Sequence, residues 1–306
     1  MDTNILLENG TNELEVLEFT LGEKHYGINV AKIREILVYQ EVTPLPNSDP
    51  SIEGIFMPRD TMITVIDLAK CLGFERSDEK GLFIITNFNK LNIAFHVDQV
   101  LGIHRVSWTE IIKPDQTVNI GEEGVSTGII KFDEKLIIIL DFEKIVSDIN
   151  PETGLRVSQI EELGERERSD AKICIAEDSP LLSKLITDCL KKSGYVNLSV
   201  CADGQEAWDL LRTYKDKPGQ VFDYCDCIIT DIEMPRMDGH RLTKLVKEDE
   251  SLKVIPLIIF SSLVNDEMRR KGEALGANAQ LSKPEIGQLV DAIDKLIEEA
   301  RAEHAK

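Results

Sequence analysis

The chain has 306 residues, long enough for two ordinary domains, each with its own core. Its apolar and charged fractions, 42% and 29%, are those of a globular protein, and no window approaches the run of about 18 apolar residues that spans a membrane. The net charge of −20 divides into 13 basic against 24 acidic side chains in 1–147, 3 against 7 in 148–170 and 19 against 24 in 171–306. With no basic segment, nucleic acid is excluded as a partner, because phosphates must be met by Lys and Arg.

The opening stretch MDTNILLENGTNELE is acidic and lacks the basic-then-apolar layout of a leader, so a cytoplasmic protein is expected. The segments 14–22, 25–30, 62–68, 82–88, 91–97 and 135–140 alternate with period two between turn residues and read as strands. AKIREILV (31–38) reads equally as one helical turn or as a further strand. Many short strands and few helices predict a pair of small β-barrels or a sandwich. Nothing in this half has the form of a catalytic triad, a Gly-rich phosphate loop or a metal-ligand spacing. The six cysteines and five histidines are scattered, and Cys225 and Cys227 are too close for a zinc knuckle, so free structural thiols are expected.

The segment 148–170 is polar and acidic, carries Pro151, Gly154 and Gly164, and has no sustained apolar face. It reads as a linker, with a short helix around 157–163. Beyond it the period changes. KICIAE (172–177), LSVC (198–201), CIITD (227–231), IPLIIFS (255–261) and NAQLS (278–282) read as strands. Helical patterns occupy 181–190, 205–214, 239–247, 265–275 and the stretch from 286, where Ile286, Leu289, Val290, Ile293, Leu296 and Ile297 recur at helical spacing. Strict alternation of five strands and five helices predicts a doubly wound, flavodoxin-like parallel sheet of five strands.

In such a sheet ligands bind beyond the carboxyl ends of the strands. Glu177 and Asp178 end the first strand, Asp231 the third and Ser261 with Ser262 the fourth; Lys283 follows the fifth. Three carboxylates at one rim repel by about 4 kcal/mol per pair at 4 Å. A hard divalent cation such as Mg2+ relieves that repulsion. With Lys283 it would neutralise an incoming phosphoryl group, Ser261 would donate to a phosphoryl oxygen, and Asp231 would be the nucleophile. Ser262 and Asp238 read as structural.

IAEDSP (175–180), TDIEMPRMDG (230–239), IIFSS (258–262) and SKP (282–284) closely resemble the receiver domain of two-component response regulators. The resemblance implies that Asp231 takes phosphate from a histidine kinase. It also implies that Mg2+ is held by Asp178, Asp231 and the backbone carbonyl of Glu233, with Glu177 acting through water. Lys283 and Ser261 would contact the phosphoryl group, and Lys283–Pro284 would be a cis peptide. Two departures stand out: extra residues around 217–226, and Gln280 where many receivers carry an aromatic switch residue. A haloacid-dehalogenase-like phosphatase would need Asp-x-Asp where this chain has Asp231-Ile232-Glu233. A transcriptional regulator would need a basic domain.

In the first half, FTLGEKHYGINVAKIREIL (19–37), IEGIFMPRDTMITVIDLAKCLG (52–73) and FHVDQVLGIHRVSW (95–108) resemble the CheW-like chemotaxis coupling domain, with Asp60 where that family has glycine. The combination is that of the CheV family. It implies a coupling domain of two SH3-like barrels over 1–147, an acidic linker over 148–170 and a receiver over 171–306. It further implies a non-enzymatic adaptor at receptor arrays, linking methyl-accepting chemoreceptors to the kinase CheA under control of Asp231 phosphorylation, without membrane insertion. The alternative within chemotaxis is a phosphate sink that drains CheA. Arg59 is expected either on a docking surface or bracing its turn, and Trp108 in the core.

Overall fold

The computed structural model describes residues 12–74, 80–88, 91–112, 124–132, 135–150, 166–215, 217, 220–263, 265–283 and 285–304. The chain divides into two compact units: Leu14–Thr153, and Gly154–Lys306 together with the residues up to Glu13.

The first unit holds two five-stranded sheets. One comprises β1 (Glu13–Leu21), β2 (Lys24–Asn29), β8 (Gln99–Ser107), β9 (Ser126–Phe132) and β10 (Lys135–Leu140), in the order β8-β1-β2-β10-β9. The other comprises β3 (Ile33–Val38), β4 (Ile52–Phe56), β5 (Ile63–Asp67), β6 (Leu82–Phe88) and β7 (Leu91–Val97), in the order β3-β6-β7-β5-β4. Strand β1 is apolar on both faces because each face meets a core. Leu14 and Val16 pack with Val106, Trp108, Ile130 and Ile137, whereas Leu17, Phe19 and Leu21 join a larger cluster with Phe95 and Phe142 that draws on both sheets. Trp108 is therefore core, as the sequence suggests.

The ambiguous stretch 31–38 is a strand. The Asn29 side chain accepts the Ala31 N–H and caps one 3-10 turn, after which β3 runs extended. Short helices α1 (Leu68–Cys71) and α2 (Phe142–Ile149) are each capped by the preceding aspartate, Asp67 and Asp141. Helix α2 buries Phe142, Ile145 and Val146 and continues through Ile149, so the first two residues read as linker end a helix. The helix expected around 157–163 lies outside the described residues.

The second unit is one all-parallel sheet in the order β12-β11-β13-β14-β15, with β11 (Ser169–Ala176), β12 (Tyr195–Cys201), β13 (Cys227–Thr230), β14 (Leu257–Ser261) and β15 (Ala279–Ser282). Between and after the strands run α3 (Pro180–Lys192), α4 (Gly204–Lys215), α5 (Gly239–Glu248), α6 (Asp266–Ala274) and α7 (Ile286–His304). Strand β13 is buried at every position, as a central strand covered on both faces must be. The chain leaves β11 to one side for β12 and to the other for β13. That reversal of strand order opens the crevice in which doubly wound sheets bind ligands. Among the described residues no helix is long and apolar enough to cross a membrane.

Candidate functional site

Strand register builds the site. Ala176 pairs with Thr230, so Glu177 and Asp178 leave β11 beside the point where Asp231 leaves β13, and the Asp231 N–H donates to the Ala176 carbonyl at 3.0 Å. Ser261 pairs with Ser282 across β14 and β15, and the Lys283 N–H reaches the Ser261 carbonyl at 3.2 Å. Parallel pairing thus delivers strand-end side chains from four separate parts of the chain to one rim.

The Lys283 Nζ lies 2.8 Å from Asp231 Oδ2 and 3.1 Å from Glu177 Oε2. One carboxylate oxygen each from Glu177, Asp178 and Asp231 lies within 4.8 Å of the others. At that separation two like charges repel by roughly 3 kcal/mol at a protein-like dielectric. Burial pushes the Glu177 carboxyl up to about 8; Lys283 opposes the shift, and the charges of Asp231 and Asp178 add to it. One ammonium among three carboxylates leaves a deficit of positive charge, and the donors are hard oxygens. That combination fits Mg2+.

Glu177, Asp178, Asp231 and Lys283 are thus brought together. Ser261 ends the neighbouring strand fully buried, its Oγ accepting the Leu263 N–H at 3.3 Å. Glu233 follows Asp231 by two residues in the β13–α5 loop, and its side chain is not a member of the carboxylate group. Pro284, and with it the expected cis peptide, lies outside the described residues. Asp238 caps α5, its Oδ1 accepting the Arg241 N–H at 2.6 Å, which is the structural task read for it. Gln280 is held: its Nε2 donates to the Arg269 carbonyl on α6 at 2.7 Å, in a space left by Gly272, where a Cβ would come within 2.4 Å of Gln280 Oε1.

Two features of the rim escape a reading of the sequence. Arg236 adopts a left-handed backbone, φ 63°, and its guanidinium pairs with buried Asp203, which also caps the start of α4 through the Glu206 N–H. Gly239 is required for close approach, since a Cβ there would lie 1.8 Å from the Asp231 carbonyl oxygen. The turn signals were visible in MPRMDG, but the pairing of Arg236 with a residue 33 positions earlier has no local signature.

In the first unit, Arg59 also adopts a left-handed conformation, φ 51°, and donates to Glu35 on β3 at 2.9 Å, with its side chain 77% exposed between exposed Met57 and Met62. The six cysteines are all free thiols.

Residues 15–150 match the family described as CheW-like domain, and residues 173–294 match the response regulator receiver domain. Chemotaxis protein CheV2 of Helicobacter pylori is 32% identical, covering 94% of this chain and 95% of its own length; CheV3 of the same organism is 27% identical over 94% and 96%. Chemotaxis protein CheW of Thermotoga maritima is 32% identical over 49% of this chain and 98% of its own length. With both domains matched in order and its relatives matched end to end, the chain belongs to the CheV family of chemotaxis proteins, adaptors that join a CheW-like domain to a phosphorylatable receiver.

Proposed function

We propose that Asp231 is the phosphoacceptor and that its phosphorylation adjusts how the CheW-like domain couples chemoreceptors to the histidine kinase CheA. The observation that carries this reading is the buried ammonium of Lys283, bonded to both Asp231 and Glu177 within a group of three carboxylates. Asp231 attacks the phosphorus of a phosphohistidine, the P–N bond breaks, the imidazole leaves with a proton, and an acyl phosphate forms. Lys283 holds Asp231 Oδ2, the Ile232 N–H holds Oδ1 at 2.7 Å, and Ser261 supplies a hydroxyl to the incoming phosphoryl oxygens. Asp178, Asp231 and the Glu233 carbonyl would hold Mg2+, with Glu177 acting through water; the bound ion supplies charge neutralisation. Glu233, the position that a haloacid-dehalogenase-like phosphatase fills with aspartate, is outside the carboxylate group, which favours an acceptor over a turnover phosphatase.

The modification adds about 1.5 to 2 negative charges at the rim. Residues 150–168, between the end of α2 and the start of β11, serve as the tether between the two functions, and Arg59 contributes to the docking surface at cytoplasmic receptor arrays. Incubation with radiolabelled phospho-CheA and Mg2+ is expected to label the wild-type protein and leave Asp231→Asn unlabelled. Label that persists in Asp231→Asn sinks the assignment.

A further inference from the structure

We propose that Asn12 is a latch on the loop between β13 and α5, and that it tightens when a divalent cation occupies the acidic rim. The proposal rests on the preceding reading only in that the rim binds a cation.

The Asn12 Nδ2 donates to the Arg236 carbonyl at 2.8 Å, and its Oδ1 accepts the Asp238 N–H at 3.0 Å. One side-chain amide therefore satisfies a backbone acceptor and a backbone donor two residues apart, much as a neighbouring strand would. The partners are more than 220 residues away in sequence. Asn12 itself sits at φ 64°, a left-handed conformation that asparagine tolerates better than other side chains. By packing, Asn12 belongs with the receiver; by chain order, it directly precedes β1.

The loop that Asn12 holds has little slack. The Gly239 N–H donates to the Ile232 carbonyl at 2.9 Å, and the Gly239 Cα is pressed against the Asp231 carbonyl. Arg236 is fixed by Asp203, and Asp238 is committed to the end of α5. A change in the Asp231 peptide is thus carried to the two groups that Asn12 grips. Asp231, which opens the gripped loop, is one of the three carboxylates that converge; Glu177 and Asp178 reach it from the end of β11. A cation that selects this arrangement strengthens the Asn12 contact, and by reciprocity Asn12 strengthens cation binding by the same factor.

The test uses the full chain. Calorimetric titration with Mg2+ or Mn2+ is expected to show affinity weakened roughly fivefold in Asn12→Ala, the lower end of ordinary coupling between sites. Asn12→Asp, which removes the donor to the Arg236 carbonyl, should lose at least as much. Hydrogen exchange at the Asp238 amide should slow on adding cation in the wild type and respond less in Asn12→Ala. Arg166→Ala serves as the control: Arg166 pairs with Asp294 on α7, away from the loop, and its loss should leave cation affinity unchanged. Equal affinities in wild type and Asn12→Ala, with equal protection of Asp238, overturn the latch while cation binding that is abolished by Asp178→Asn leaves the acidic site standing. Absence of cation binding to the wild type overturns both.

Discussion

Glu18 and Glu177 are both buried, at 2% and 3% exposure, and each lies on or just beyond the first strand of its sheet, yet their surroundings drive them in opposite directions. Glu18 is ringed by three basic side chains from β8, β2 and β10 of the same sheet: His104 at 2.6 Å, His25 at 2.5 Å and Lys135 at 3.2 Å. Burial alone would raise its pKa, but hydrogen bonds from His104, His25 and Lys135 outweigh burial and lower it. Glu177 shares one ammonium with a second acid, and burial prevails. Burying a carboxylate therefore does not by itself mark a site. An acid whose charge is matched by its neighbours holds a fold together, and one whose charge is unmatched awaits something from solution.

A third buried group, one of whose ring nitrogens has no partner among the described residues, sets the scale of the contrast. His240 on α5 is 2% exposed, and its Nε2 finds no hydrogen bond among the described residues. Burial first and Lys271 second push its pKa down to about 3. The unfolded chain takes up this proton near pH 6.5 and the folded one only near 3, so stability should fall as pH drops through that window, by roughly 4–5 kcal/mol in total. Urea unfolding across pH should show a flatter acid limb for His240→Leu, together with a gain of about 1 kcal/mol at neutral pH.

Next in size is Glu18→Gln, which strands two histidines and a lysine against a neutral amide. A loss of about 2–4 kcal/mol is expected in urea unfolding, below the range for fully enclosed pairs because Lys135 and His25 reach solvent. Since the folded pKa of Glu18 is depressed, its contribution should be intact at neutral pH and vanish as pH falls below about 4.5. Glu177→Gln in cation-free buffer is expected to cost less than 1 kcal/mol or to stabilise, because burial already favours the neutral carboxyl there and the amide replaces it with a neutral group of the same shape. Equal losses for the two glutamates would break the comparison. The smallest effect belongs to Arg59→Ala, whose exposed ion pair should change stability by no more than about 0.5 kcal/mol. Its value is as a probe, since weakened capture of CheA or receptor by this well-folded variant would assign Arg59 to docking.

The acidic rim was legible in the sequence for a topological reason. Once the alternation of strands and helices implies a parallel sheet, strand-end residues must share one edge, so the identity of Glu177, Asp178, Asp231, Ser261 and Lys283 is enough to place them. The Glu18 network had no such handle. His25, His104 and Lys135 meet Glu18 only because of the order β8-β1-β2-β10, and no sequence spacing encodes that order. Strand β8 itself escaped notice: Gly102 interrupts it, and its outer face carries Leu101 and Ile103 at 46% and 58% exposure, which blurs the alternation of buried and exposed residues. Strand β4 was hidden similarly by Gly54 and β9 by Gly128, each an ordinary turn signal in a reading from sequence. Asn12 gave no signal because its partners come from the far end of the chain.

The notch that Gly272 leaves on α6 for the Gln280 amide makes these two positions conditional on each other. A methyl group at 272 would evict the amide and free the Arg269 carbonyl, while a ring at 280 would need the helix to ride outward from β15. Variation along this helix–strand seam is therefore restricted to compatible pairs of residues, and a substitution tolerated at one position should be read only alongside the residue at the other.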